Sequence, residues 1–347
     1  VDITLRILFD TAFRKDLMCI NLYDHLADEM AKIAEVKMWG PRRPDYVDEP
    51  LDVTINRLYG DDSPDWVIAN CFMHLEKRRW VPYQIPPPEE RSWKIATFTS
   101  DIHANGMLGV GTRGYLDALN DKGFDAILML YSQLGYGKSP YRAIDPDYFL
   151  KNLKPKVFHC PPWINPDNFR PVKKRKRHDV VFLGMVESMQ YPLRLKISSG
   201  LPTVARRNGW RALIKGPPPG SLFDTTIGEK ISQGHIAGRV YNETLSRSKV
   251  FIFGSSIYRY PLLKYVEGWG AGTLVMADKP LGAERMHLEP DVNFVEVGRH
   301  NWGQKLKHYI DDDDLRASIA KRGHETVMKY HTASVRAKEL LSFLRGA

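Results

Sequence analysis

The stretch "RYPLLKYVEGWGAGTLVMAD", residues 259–278, decides how this chain is read. It sets one carboxylate, Glu267, inside an apolar helical run, just ahead of Gly268, Gly270 and Gly272 and a strand-like segment from Leu274 to Ala277. A carboxylate in such a setting is costly unless something receives it. Pro261 suits the first helical position, because its missing N–H has no partner there anyway. A helix that starts there turns free N–H groups and a positive dipole end toward the preceding loop, which suits an anion.

Working outward, "DVVFLG" (179–184), "RALIKG" (211–216), "KVFIFGS" (249–255), "TLVMAD" (273–278) and "NFVEV" (293–297) read as buried strands in the second half. The first half repeats the pattern with "RILFD" (6–10), "WVIAN" (66–70), "WKIATFTSD" (93–101), "FDAILMLYS" (124–132) and "KVFHCPP" (156–162), with helical segments such as 17–34 between several of them. Apolar runs of this kind, alternating with helices, imply mostly parallel sheets covered on both faces. The expected fold class is therefore α/β, with two Rossmann-like domains facing a cleft. "NPDNFRPVKKRKRHD" (165–179) marks the boundary, giving an N-terminal domain over 1–172 and a C-terminal domain over 173–347, with the last helices able to pack back on the first domain. "PPPEE" (86–90), "GPPPG" (216–220) and "DDDD" (311–314) read as loops.

At 347 residues, 43% hydrophobic and 26% charged, the chain is globular and long enough for two cores. No apolar run approaches the roughly 20 residues that span a bilayer, and no basic segment leads into an apolar one at the N-terminus. Cys19, Cys71 and Cys160 are too few and too scattered for a disulfide frame or a cysteine zinc site. A soluble, cytoplasmic protein is expected.

Charge separates the halves: residues 1–172 carry a net −3 and residues 173–347 a net +12. An anionic partner should prefer the second half. Nucleic acid, a membrane surface and a nucleotide diphosphate all qualify by sign. The run "KKRKR" (173–177) has no interleaved aromatic residues on which bases would stack, so it reads as a solvated hinge. Nucleic acid is not the expected partner, while peripheral association with a membrane stays open.

Four pieces together resemble a glycosyltransferase of the GT-B architecture, of the group-1 type and closest to its CgeB-like, spore-maturation branch. They are "KVFHCPPWINPDNFRP" (156–171), "HDVVFLG" (178–184), "RYPLLKYVEGWGAGTLVMAD" (259–278) and "IAKRGHETVMKYHTASVRAKELLSFL" (319–344). The resemblance implies transfer of a sugar from a nucleotide diphosphate sugar, bound on the second domain, to an unidentified acceptor on the first. It implies no cofactor beyond that co-substrate and no metal, since helix ends and basic side chains meet the diphosphate in this architecture. Retention at the anomeric carbon is implied as well. Many members carry a second glutamate eight residues before the first, and here that position is Arg259.

The residues then sort into roles. Glu267 can accept two hydrogen bonds from the vicinal hydroxyls of a ribose, although Lys264 at i−3 is an alternative partner within the protein. Lys264 faces the same side of its helix, and Lys215 ends a strand on the sheet edge where ligands of open α/β folds collect. The resemblance adds Arg194 as a diphosphate ligand. Gly184 at the end of "HDVVFLG", and Arg259 and Tyr260 in the turn before the helix, complete the expected nucleotide site. In the first domain "FTSDIH" (98–103) puts Asp101 and His103 after a strand, where histidine can take a proton from an acceptor hydroxyl; Asp10 is the reserve. Asp101 and His103 lack a third metal ligand at a convincing spacing. A nucleotide-sugar epimerase of the same architecture and a non-enzymatic polyanion- or nucleic-acid-binding protein are the competing expectations.

Overall fold

A computed structural model of the chain describes residues 5–10, 22–40, 43–69, 85–99, 111–131, 146–186, 190–217 and 227–347. The first half contains β1 Arg6–Asp10, α1 Leu22–Met30, β2 Glu35–Trp39, α2 Leu51–Tyr59, β3 Trp66–Ala69, β4 Lys94–Thr99, α3 Gly111–Asp121, β5 Ala126–Met129, α4 Pro146–Asn152 and β6 Lys156–His159. The second contains β7 His178–Leu183, α5 Pro192–Asn208, β8 Ala212–Lys215, α6 Ile227–Ser232, α7 Gly238–Ser246, β9 Ser248–Ile252, α8 Leu263–Gly270, β10 Leu274–Ala277, β11 Val295–Glu296, α9 Trp302–Asp311, α10 Asp313–Tyr330 and α11 Ala333–Gly346.

The strands form two separate sheets, ordered β2-β1-β3-β4-β5-β6 and β11-β10-β9-β7-β8. Every pairing is parallel. Each sheet is doubly wound: strand order reverses next to its first strand, between β1 and β3 and between β7 and β9. Those two points open crevices at the carboxyl ends of the strands, where ligands of such folds bind.

Side-chain alternation makes each sheet two-faced. Ile7 and Phe9 of β1 face one apolar layer with α1, and Leu8 faces another with α2, α3 and α4. In the second sheet Val181 and Leu183 pack toward α8, whereas Val180 and Phe182 pack toward α5 and α9. This double burial is why these strands are legible as apolar runs. β2 is the exception: an edge strand with Glu35 and Lys37 in it, buried fully only at Trp39.

Two segments tie the halves together. Ile164, just after β6, accepts the Ala333 N–H at 2.8 Å and donates to the His331 carbonyl at 2.9 Å. α11 then lies on α1, burying Ala337, Leu340, Leu341 and Leu344 in the layer that Ile7 and Phe9 line. The indole N–H of Trp66 in β3 donates to the Leu344 carbonyl at 3.1 Å. The acidic run at 311–314 is a junction between helices rather than a loop. Asp312 caps α10 by accepting the Leu315 N–H at 2.9 Å, and Asp313 and Asp314 occupy its first turn, where negative charge favours the helix dipole.

Glycines in the second half set helix-to-sheet spacing. A Cβ on Gly268 would lie 2.5 Å from Val275 Cγ2, and one on Gly270 2.6 Å from Ile164 Cδ1. The pair brings α8 down onto β10 and onto the crossing segment at once. Among the described residues no helix is long and apolar enough to cross a membrane.

Candidate functional site

The crevice between β7 and β9 gathers the chemistry. β7 ends into Gly184, whose φ of +142° is a conformation that side-chain-bearing residues avoid. The same glycine admits a close approach: a Cβ there would sit 3.1 Å from Lys264 Cε, 3.3 Å from its Nζ and 3.7 Å from Arg194 Nη1. Two cations from different helices thus converge over one bare backbone position.

Arg194 lies in the first turn of α5 and is 4% exposed. Its Nε donates to the Gly254 carbonyl just after β9 at 2.6 Å, and Nη1 reaches the Met185 carbonyl at 3.4 Å. The guanidinium stands 4.0 Å above the Tyr191 ring. It therefore spans the crevice while meeting carbonyls, with no carboxylate in ion-pair range among the described residues. Burial lowers its pKa, partly offset by Tyr191 and Asp278.

α8 starts at Leu263, two residues later than Pro261, with Leu262 as its N-cap and no side chain closing the end. Lys264 falls in its first turn and Glu267 one turn on. Glu267 is half-buried, and its Oε2 accepts a 2.9 Å hydrogen bond from the Tyr241 hydroxyl of α7. Oε1 has no hydrogen-bond partner among the described residues, and it is not sealed from solvent. Lys264 stays beyond ion-pair distance of this carboxylate, so the i−3 pairing is not what receives Glu267. Burial raises the pKa of Glu267, against the pull of Lys264 and Tyr241. Burial likewise brings the Lys264 amine down to about 8, with Glu267 opposing and Arg194 reinforcing the shift.

Asp278, at the end of β10, anchors the loop between β9 and α8. It accepts the Ser255 N–H at 2.6 Å and the Ser255 hydroxyl at 2.5 Å, while its carbonyl accepts the Tyr265 hydroxyl at 2.5 Å.

The structure thus brings Gly184, Arg194 and Lys264 together, with Glu267 one turn beyond Lys264. Lys215 contributes backbone, its carbonyl accepting the Gly184 N–H at 3.0 Å, while its side chain is exposed. Arg259 is exposed in a left-handed conformation, φ 53°, and its guanidinium donates to the Lys279 carbonyl at 2.7 Å. Tyr260 lies elsewhere: 1% exposed, it stacks on Tyr131 at 4.7 Å and packs into the apolar layer of the first domain. Asp101 and His103 follow β4, which ends at Thr99, and fall outside the described residues, as does the side chain of Asp10. Tyr241 and Asp278 were missed. Tyr241 reads as one more aromatic residue on an amphipathic helix, whereas Asp278, ending a strand at the ligand-bearing edge, carried a usable signal.

Residues 198–342 match the model of a family described as glycosyl transferase-like. A sequence search found no curated protein that matches the chain. Among solved structures, sucrose-phosphate synthase from Thermosynechococcus elongatus superposes with a TM-score of 0.62 at 12% identity, over 99% of this chain and 98% of that one. HepE from Anabaena, solved with UDP and glucose, gives 0.58 at 10% identity over 99% and 100%. A glycosyltransferase from Rickettsia africae gives 0.57 at 12% over 99% and 98%. The fold is GT-B. Within the GT-B frame the family match covers α8 and β10 and thus Lys264, Glu267 and Asp278, while Gly184 and Arg194 lie just ahead of it.

Proposed function

We propose that the chain is a glycosyltransferase of the group-1 type that moves a hexose from a nucleoside diphosphate sugar to an acceptor hydroxyl, with retention. Within that type, segments 156–171, 178–184, 259–278 and 319–344 taken together favour the CgeB-like branch. The observation that carries the reading is the convergence of Arg194 and Lys264 over Gly184 at the switch point, with one oxygen of Glu267 left open beside them. Two fixed cations suit a diphosphate, and an open carboxylate oxygen suits a ribose diol. UDP in the HepE structure makes a uridine nucleotide the first donor to try.

In the reaction the bond between the anomeric carbon and the β-phosphate oxygen breaks, and a bond from that carbon to the acceptor oxygen forms. Arg194 and Lys264 stabilise the negative charge that develops on the departing diphosphate, from positions held before the substrate arrives. With those two cations and the α8 N-terminus at the diphosphate, we assign no metal to the site. The acceptor hydroxyl loses its proton, and His103 is the assigned base, oriented by Asp101, on the first domain over residues 1–172. Residues 173–347 hold the donor.

The experiment is a calorimetric titration with UDP, GDP and ADP, followed by incubation with UDP-glucose and detection of released UDP. One nucleoside diphosphate binding at micromolar affinity, and hydrolysis or transfer from its sugar ester, is the expected result. Binding of duplex DNA with a steep salt dependence and none of the nucleotides would overturn the reading in favour of a polyanion binder. Epimerised nucleotide sugar without sugar release would point to the epimerase instead.

A further inference from the structure

The amino-terminal edge of the second sheet carries a second concentration of positive charge. β7 has six residues, so this edge lies roughly 20 Å from Gly184 at about 3.3 Å per residue. A recess of about 330 Å³ opens there, with Lys176, Lys249, Arg316, Lys321 and His324 on its walls and Pro171 and Ala320 among its apolar lining. The cations come from three different parts of the chain: the linker, β9 and α10.

Their partners are known. Lys249 lies 3.4 Å from Asp179 and 3.8 Å from Asp313; Asp179 also pairs with Arg211 at 3.1 Å, and Arg316 pairs with Asp313. Lys321 lies 3.8 Å from the exposed Glu325. Lys176 has no carboxylate in range among the described residues. Its amine donates to the Ser246 carbonyl at 2.8 Å, which leaves two of its three N–H groups for another acceptor. Counted with Arg211, which shares Asp179, the four cations of the recess make five positive charges against the three carboxylates Asp179, Asp313 and Glu325, an excess of two. Burial and the neighbouring Arg316 bring the Lys176 amine down to about 8, so an anion beside it would be favourable.

We propose that this recess binds a phosphomonoester, at a site separate from the donor crevice. A dianion matches the excess charge, and the volume, at the small end of ligand pockets, exceeds what a bare phosphate needs. The apolar lining then packs against the body that carries the phosphate. Two sources share this chemistry, a soluble sugar phosphate and a lipid headgroup. Lys176 belongs to the basic run 173–177, so the site gives part of that run a role beyond solvation.

The test uses the full chain with its donor site saturated by UDP. Glucose 6-phosphate is titrated calorimetrically into wild type and into Lys176→Gln/Lys321→Gln, which alters no residue of the donor crevice. Wild type should bind one equivalent, and the double variant should lose about tenfold or more in affinity, the scale of lost charged hydrogen bonds, with UDP affinity unchanged. Acetylation of Lys176 by acetic anhydride at pH 8, read by peptide mass spectrometry, should be blocked by glucose 6-phosphate and not by glucose. Sedimentation with phosphatidic acid vesicles, lost in the double variant, would identify the phosphate as a headgroup; binding of the sugar phosphate without sedimentation would identify a soluble ligand. Equal binding in wild type and double variant, or none to either probe at millimolar concentration, overturns the proposal. If UDP itself fails to bind, the donor assignment falls, and the double variant still locates phosphate binding at the recess.

Discussion

Nucleotide affinity is expected to fall about tenfold from pH 7 to pH 9, with Lys264 as the titrating group. Burial holds its amine at about 8, opposed by Glu267 and reinforced by Arg194. One unit below that value about nine-tenths of the molecules carry the cation, and one unit above about one-tenth do. A bound diphosphate stabilises the charged form, so the complex holds this proton more tightly than the free protein, and binding weakens as pH rises through the free value. The nucleotide's own terminal phosphate ionises near pH 6 and is nearly complete over this range. Lys264→Met removes the titrating group and should bind with a flat profile, weaker than wild type at pH 7 by roughly 1.5 to 3 kcal/mol, or about ten- to a hundredfold. The assay is calorimetric titration of UDP at constant ionic strength, repeated in buffers of different ionisation enthalpy to count protons taken up on binding. A flat wild-type profile, or the same slope in Lys264→Met, would refute the placement of the diphosphate beside this amine.

Glu267→Gln should lower UDP affinity by about tenfold with little change in thermal stability, and should barely discriminate between UDP and its 2′-deoxy analogue; a loss of melting temperature with intact affinity would make the carboxylate structural. Tyr241→Phe removes the hydroxyl that helps hold Glu267 ionised, so the acid-side loss of UDP affinity should move to higher pH, as a pH series of titrations would show. Gly323→Ala would set a Cβ 2.3 Å from Trp269 Cδ1 and 2.8 Å from the Asn293 carbonyl oxygen; with both ring and backbone in the way, chemical denaturation should register about 1 to 3 kcal/mol of destabilisation. His103→Ala should lower turnover by about 10² to 10⁴ while sparing UDP affinity, and unchanged turnover would remove it from the reaction.

How much of this was legible follows from what side-chain pattern reports. β7, β9 and β10 are buried on both faces, so their apolar runs show in the sequence. β2 escaped because an edge strand with Glu35 and Lys37 lacks that signature. Arg194 was within reach through the family resemblance and Lys264 through its helical spacing from Glu267, and the doubly wound fold delivers the elements that carry them to one crevice. Tyr260 shows the limit. Its place in the chain, in the turn after a strand, points to the ligand, yet its ring stacks on Tyr131 of the other domain.

The sequence by itself determined the alternation of strands and helices and the charge asymmetry, because both depend on composition and short-range periodicity. Only the tertiary structure decided that Tyr241 holds Glu267 across 26 positions of sequence, that Arg194 bridges to Gly254 across 60, and that α11 returns to cover α1. Periodicity says which face of an element is buried, not which element buries it. That choice is made when helices and sheets pack against one another, and it places a hydroxyl, a guanidinium and an amine within reach of one bare glycine or one carboxylate.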